Sequence, residues 1–154
     1  MRPILIASAL FMTAGGLLAQ TSHTGQPLRP DQLNWMPAPP VLPKGAQMAV
    51  LSGDPTKAGP FTVRLKMPAG YRIPAHSHPT DERVTVISGT FRCGMGDRLD
   101  EAKAQTLGDG GFVNLPAKMN HYAFADQEAV VQIDSEGPFA ITYVDAADDP
   151  SRSQ

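Results

Sequence analysis

Two histidines one residue apart, His76-Ser77-His78, are followed four positions later by Glu82. Successive side chains of a strand point to opposite faces, so His76 and His78 fall on the same face. Glu82 has the same parity, although Pro79 stands between and can interrupt the strand. Two imidazoles and a carboxylate on one face suit one divalent transition metal, with Fe, Mn, Ni, Cu and Zn all compatible. A fourth ligand has to come from a distant strand, and His121 is the only other histidine outside the N-terminal arm. On the residues alone a second reading stays open, that of ordinary surface histidines on a strand. Arg72 shares the parity of His76, so it either reaches inward to hold a substrate carboxylate or stays solvated. Met48, Met67, Met95 and Met119 have no regular spacing and read as core filler rather than a copper site.

Short strands separated by turn signals must position these groups, a pattern that predicts an all-β sandwich or barrel. Strands are expected at Gln47 to Ser52, Phe61 to Met67 and Tyr71 to Ala75. The series continues with Arg83 to Ile87, Thr90 to Met95, Phe112 to Leu115, Tyr122 to Phe124, Ala129 to Ile133 and Phe139 to Val144. Phe61-Thr-Val-Arg-Leu-Lys-Met67 alternates apolar and polar, the period of a half-buried strand. Asp97 to Ala104 is the one stretch read as helical, with Asp97 as N-cap. No internal repeat is present, so one barrel is expected rather than two.

The segment Gly70-x5-His76-x-His78-x3-Glu82-x6-Gly89 resembles the first motif of the cupin superfamily at every defined position. Gly110, Pro116 and His121 match the spacing of the second motif. Lys118 stands where that motif has Gly, and Ala125 where it often has Asn. The resemblance covers about Gly45 to Val144. It implies a double-stranded β-helix, the cupin jelly-roll barrel, with the metal near its centre. It also implies the ligand set His76, His78 and Glu82 from the first motif and His121 from the second. Gly70 and Gly89 then mark turns where a positive φ favours Gly. Small cupins of this kind are often dimers, so a homodimer is expected.

Three imidazoles and one carboxylate leave two positions on an octahedral ion for water, dioxygen or a chelating substrate. The first functional expectation is therefore a metal-dependent enzyme acting on a small oxygen-bearing organic molecule, as a dioxygenase, a decarboxylating oxidase or an isomerase. Glu82 balances the ion's charge and is the candidate catalytic base; its plainer alternative is an ion pair with Arg83. The second expectation is a binding or sensing module without turnover, resembling the metal-binding anti-sigma cupins.

The remaining sequence sets the context. Met1 to Ala19 has a basic start, an apolar stretch from Ile4 to Leu18 and small residues before Gln20, and reads as a cleavable signal peptide. The apolar stretch is shorter than the ~20 residues a spanning helix needs, so no lasting membrane insertion is expected. A periplasmic or secreted protein follows. Residues 20–44 are Pro-rich and read as an extended arm that docks Leu33, Trp35 and Met36 on the barrel or on a second subunit. Residues 45–145 form the barrel and 146–154 a polar, frayed tail. Cys93 is the only cysteine of the 154 residues, which excludes an internal disulfide. A formal charge of −2 with no basic cluster argues against nucleic acid as a partner and leaves a small molecule.

Overall fold

A computed structural model describes residues 25–153. The expected signal segment lies outside the described residues. Eleven strands account for the architecture: β1 (Met36–Pro37), β2 (Gln47–Ser52), β3 (Gly59–Met67), β4 (Tyr71–Ser77), β5 (Glu82–Ser88) and β6 (Phe91–Met95), then β7 (Gln105–Leu107), β8 (Phe112–Leu115), β9 (His121–Ala125), β10 (Ala129–Gly137) and β11 (Thr142–Tyr143). They form two antiparallel sheets, ordered β1-β2-β3-β10-β5-β8 and β11-β4-β9-β6-β7. This is the all-β jelly-roll barrel that the sequence predicts, a double-stranded β-helix. No helix among the described residues is long and apolar enough to cross a membrane.

The strand positions follow from alternation. In β3, Phe61, Val63, Leu65 and Met67 are buried and the residues between them are half-covered. Its partner β10 repeats the pattern with Val131, Ile133 and Ser135. The apolar ones among them meet Ile73, Val84, Val86, Phe91, Cys93 and Leu115 inside the barrel. Each fully buried aliphatic side chain contributes about 1.5–3 kcal/mol of transfer free energy, so this interior supplies most of the driving force. Cys93 is part of it, with burial first and the Glu82 charge second pushing its thiol up.

Several expectations need correction. Asp97 to Ala104 is not helical but a series of bends and a turn. Two of its carbonyls are engaged from outside: the Tyr122 hydroxyl donates to Asp100 O (2.8 Å) and Arg92 Nη2 to Glu101 O (2.8 Å). These side chains hold the loop in a shape that i→i+4 bonding does not produce. Phe139 to Val144 pairs only over Thr142 and Tyr143, and the three residues before β11 line the barrel's cavity instead. The short strand β7 carries no alternation that sequence reading can detect. Met95 and Met119 are exposed, at 47% and 42%, rather than core filler. The tail forms 3-10 turns at Ala146–Asp148 and Pro150–Ser153, the first capped by the Asp145 side chain.

The stretch before β2 packs on the same chain's barrel. β1 adds to the edge of β2, and Lys66 Nζ stands 4.4 Å from the Trp35 ring centre. Two buried tyrosines hold the segment that follows β1: the Tyr71 hydroxyl donates to Pro43 O (2.6 Å) and the Tyr143 hydroxyl to Val41 O (2.7 Å).

Candidate metal centre

His76, near the end of β4, pairs directly with His121, the first residue of β9. His78 lies just past β4, and Glu82 opens β5 in the opposite sheet. The four side chains therefore meet across the barrel interior, where all are buried (2–7% exposed). The turn between His78 and Glu82 lets the chain change sheets. It is tied down by Ser135 Oγ donating to Asp81 O (2.6 Å) and by Lys118 N donating to His78 O (2.8 Å).

The rings are fixed from behind. His76 Nδ1 faces Pro74 O at 2.7 Å, His78 Nδ1 faces Ala140 O at 2.8 Å and His121 Nδ1 faces Met119 O at 3.0 Å. A carbonyl accepts only from an N–H, so each Nδ1 carries the proton and each Nε2 of a neutral ring presents a lone pair. Burial pushes His76 down to about 3, with His121 and His78 adding to the effect. Burial likewise lowers His78, against the opposing pull of Glu82. For Glu82, burial acts upward, but the facing imidazoles, His121 first, outweigh it and hold the carboxyl below its ordinary value. The site is thus set up as an ionised carboxylate beside nitrogen lone pairs.

The donor atoms fit one ion. The ring nitrogens of His76, His78 and His121 that could hold an ion lie within 4.8 Å of one another. Glu82 Oε2 stands 3.5 Å from His78 Nε2 and 3.4 Å from His121 Nε2. Ligands about 2.1 Å from a shared ion stand about 3–4 Å apart, so only small inward shifts are needed. His78 Nε2 and His121 Nε2 are buried without a hydrogen-bond partner. Such orphaned groups are costly unless something satisfies them, and a cation does. Carbonyls behind the ligating rings are also the support that metal-bound histidines normally have.

The other readings of single residues resolve differently. Arg72 does not point inward. A bulge between Ile73 and His76 sets three residues of β4 against two of β9, so the parity counted back from His76 is reversed at Arg72. Its guanidinium lies outside the barrel over the Phe124 ring and pairs with Glu101 and Asp126, both at 3.0 Å. Arg83 is exposed and forms no ion pair with Glu82. Tyr122 and Phe124 are buried on the outer side of β9, under Arg72, Arg92 and the loop at Asp100. Lys118 is exposed but keeps a left-handed backbone with φ 64°, the conformation a glycine at that motif position adopts easily.

Sequence reading missed the residues that support the site. Phe139 stacks on His78 with ring centres 4.3 Å apart, and Tyr143 lies 5.9 Å from His76. Backbone carbonyls and a stacked phenylalanine leave no signal in spacing. The donors open on a cavity of about 220 Å³ whose walls include Leu65, Val84, Val131 and Ile141, and also Val41 and Leu42 from the stretch before β2.

Comparison with known proteins agrees with this architecture. The family profile of a domain of unknown function (DUF4437) matches residues 28–152. No curated protein matches the sequence. Among solved structures, the polyketide cyclase RemF of Streptomyces resistomycificus is 14% identical, with 82% of this chain and 90% of that one covered and a TM-score of 0.67. A protein proposed to be an acetylacetone dioxygenase from Methylibium petroleiphilum is 20% identical, with coverages of 85% and 88% and a TM-score of 0.61. An RmlC-like cupin of Shewanella frigidimarina is 14% identical, with coverages of 72% and 90% and a TM-score of 0.56. At these identities the likeness is one of fold.

Proposed function

The chain belongs to the DUF4437 family on a cupin fold, and from that premise we propose a metal-dependent enzyme of the oxidoreductase or isomerase class acting on a small oxygen-bearing organic molecule. The observation that carries this reading is the set of nitrogen lone pairs and one carboxylate converging on an apolar cavity. His76, His78, His121 and Glu82 would hold the ion. A divalent ion there supplies a Lewis acid with positions left for substrate oxygen.

The protein's own groups do the rest. The Pro74, Ala140 and Met119 carbonyls keep the imidazoles in one tautomer and one orientation. The aliphatic walls lower the local dielectric, which strengthens every charge interaction at the donor end. Among the described residues Glu82 is the only carboxylate lining the cavity, and it is the group placed to take a proton from a bound substrate. The relatives named as a polyketide cyclase and a proposed acetylacetone dioxygenase support oxygen-rich carbon compounds as the first substrates to screen.

The test is turnover and oxygen uptake over such a panel with metal-loaded protein, alongside Glu82→Gln. Loss of general-base action typically costs about 10²–10⁴-fold in rate, and a drop of that order is expected in Glu82→Gln preparations matched for metal content. Tight ligand binding with no turnover by the native protein would instead support a sensing module.

A further inference from the structure

The cavity's charge inventory narrows the ligand. Apart from the three histidines and Glu82, no ionisable side chain among the described residues lines it; the remaining walls are aliphatic and aromatic with Thr56 and Met48. Arg72, the one cation that sequence parity aimed inward, is engaged outside with Glu101 and Asp126. A divalent ion with neutral imidazoles and one carboxylate would therefore carry a net charge of +1 in an apolar cavity. Leaving that charge uncompensated there is costly, and so is overshooting it with a dianion.

We propose that the cavity selects a compact apolar molecule bearing a single, monoanionic, oxygen-chelating head group, and rejects ligands with a second negative charge. The proposal rests on the metal-centre reading. It assigns the choice of charge to Glu82 and the choice of body to the aliphatic walls. Size supports it: an apolar cavity of about 150 Å³ holds benzene, and this one, at about 220 Å³, has room for one ring and a short chelating head. The outer wall is built by Pro39, Val41 and Leu42, held in place by the Tyr71 and Tyr143 hydroxyls. Among the described residues no cation stands in that wall to hold a second carboxylate.

The experiment uses the full chain loaded with Zn(II), a redox-silent ion, so that binding is read without turnover. Zinc uptake is titrated first by calorimetry, then three probes are compared on the loaded protein. Benzoylacetone has the apolar ring and a head that binds as a monoanion. Phenylmalonate has a ring and a chelate of the same size but two charges. Ethylbenzene has the ring and no head. Benzoylacetone is expected to bind at least tenfold tighter than either of the others, and at least tenfold tighter to the loaded than to the metal-free protein. Phenylmalonate binding as tightly as benzoylacetone overturns the charge selection. Ethylbenzene binding as tightly overturns the role of the head group. A chain that takes up no zinc overturns the metal-centre reading, and this proposal with it, before any probe is added.

Discussion

Each imidazole of the site places its Nδ1 against a backbone carbonyl and points its Nε2 at a shared point, and burial keeps His76 and His78 short of protons. That burial fixes how the metal-free protein responds to acid. An ordinary histidine takes up its proton near 6.5, whereas His76 does so only near 3. Between those values the unfolded chain binds a proton that the folded chain refuses. Stability is therefore full above pH 6.5 and falls through the window by about 1.4 kcal/mol per pH unit for such a ring. His78 and Glu82 shift in the same direction. Denaturant unfolding of the metal-free protein should show a loss of about 2 kcal/mol between pH 7 and pH 5, and unchanged stability would contradict the neutral, buried state of the ring. A second residue-scale prediction concerns Lys118, whose left-handed φ of 64° costs a side-chain-bearing residue about 1–2 kcal/mol. Lys118→Gly should raise the denaturation midpoint by the equivalent of up to about 1 kcal/mol, after the entropy of the new glycine is counted.

At the scale of elements, the bulge in β4 and the packed stretch before β2 decide what the site can be. The bulge turns His76 inward while Arg72 stays out, and strict alternation cannot reveal it. This is why the convergence of His76, His78 and Glu82 and most of the strands are legible in the sequence while the placement of Arg72 is not. The histidines carry a spacing signal, but an inserted residue changes parity without changing residue type. The loop at Asp97 to Ala104 misled for a related reason: helix-like residues are held in turns by Tyr122 and Arg92, which are distant in sequence. The carbonyls of Pro74, Ala140 and Met119 behind the rings belong to no motif. Two element-scale outcomes follow. Tyr143→Phe removes the hydroxyl that donates to Val41 O, so it should cost about 1 kcal/mol and speed amide exchange between Pro39 and Lys44. Gly94→Ala should cost more, because an added Cβ at Gly94 runs into the Tyr122 ring and hydroxyl. A loss of about 1–3 kcal/mol is the scale for overpacking of this kind, read by denaturant unfolding.

For the whole molecule, two sheets close over an apolar interior and leave their polar chemistry at one buried point. The cavity combines this point with walls from both sheets and from the stretch before β2, so ligand selection belongs to the assembled barrel rather than to one motif. Export and dimerisation remain proposals from the sequence. N-terminal sequencing of protein recovered outside the cytoplasm should begin at Gln20, and light scattering should give twice the chain mass. The central claim is the metal centre, and elemental analysis of the untagged protein beside a His76→Ala/His121→Ala variant tests it most directly. About one equivalent of a first-row divalent metal in the native protein, lost in the variant, is the predicted result. No metal in the native protein even after reconstitution, or the same metal content in the variant, would contradict it.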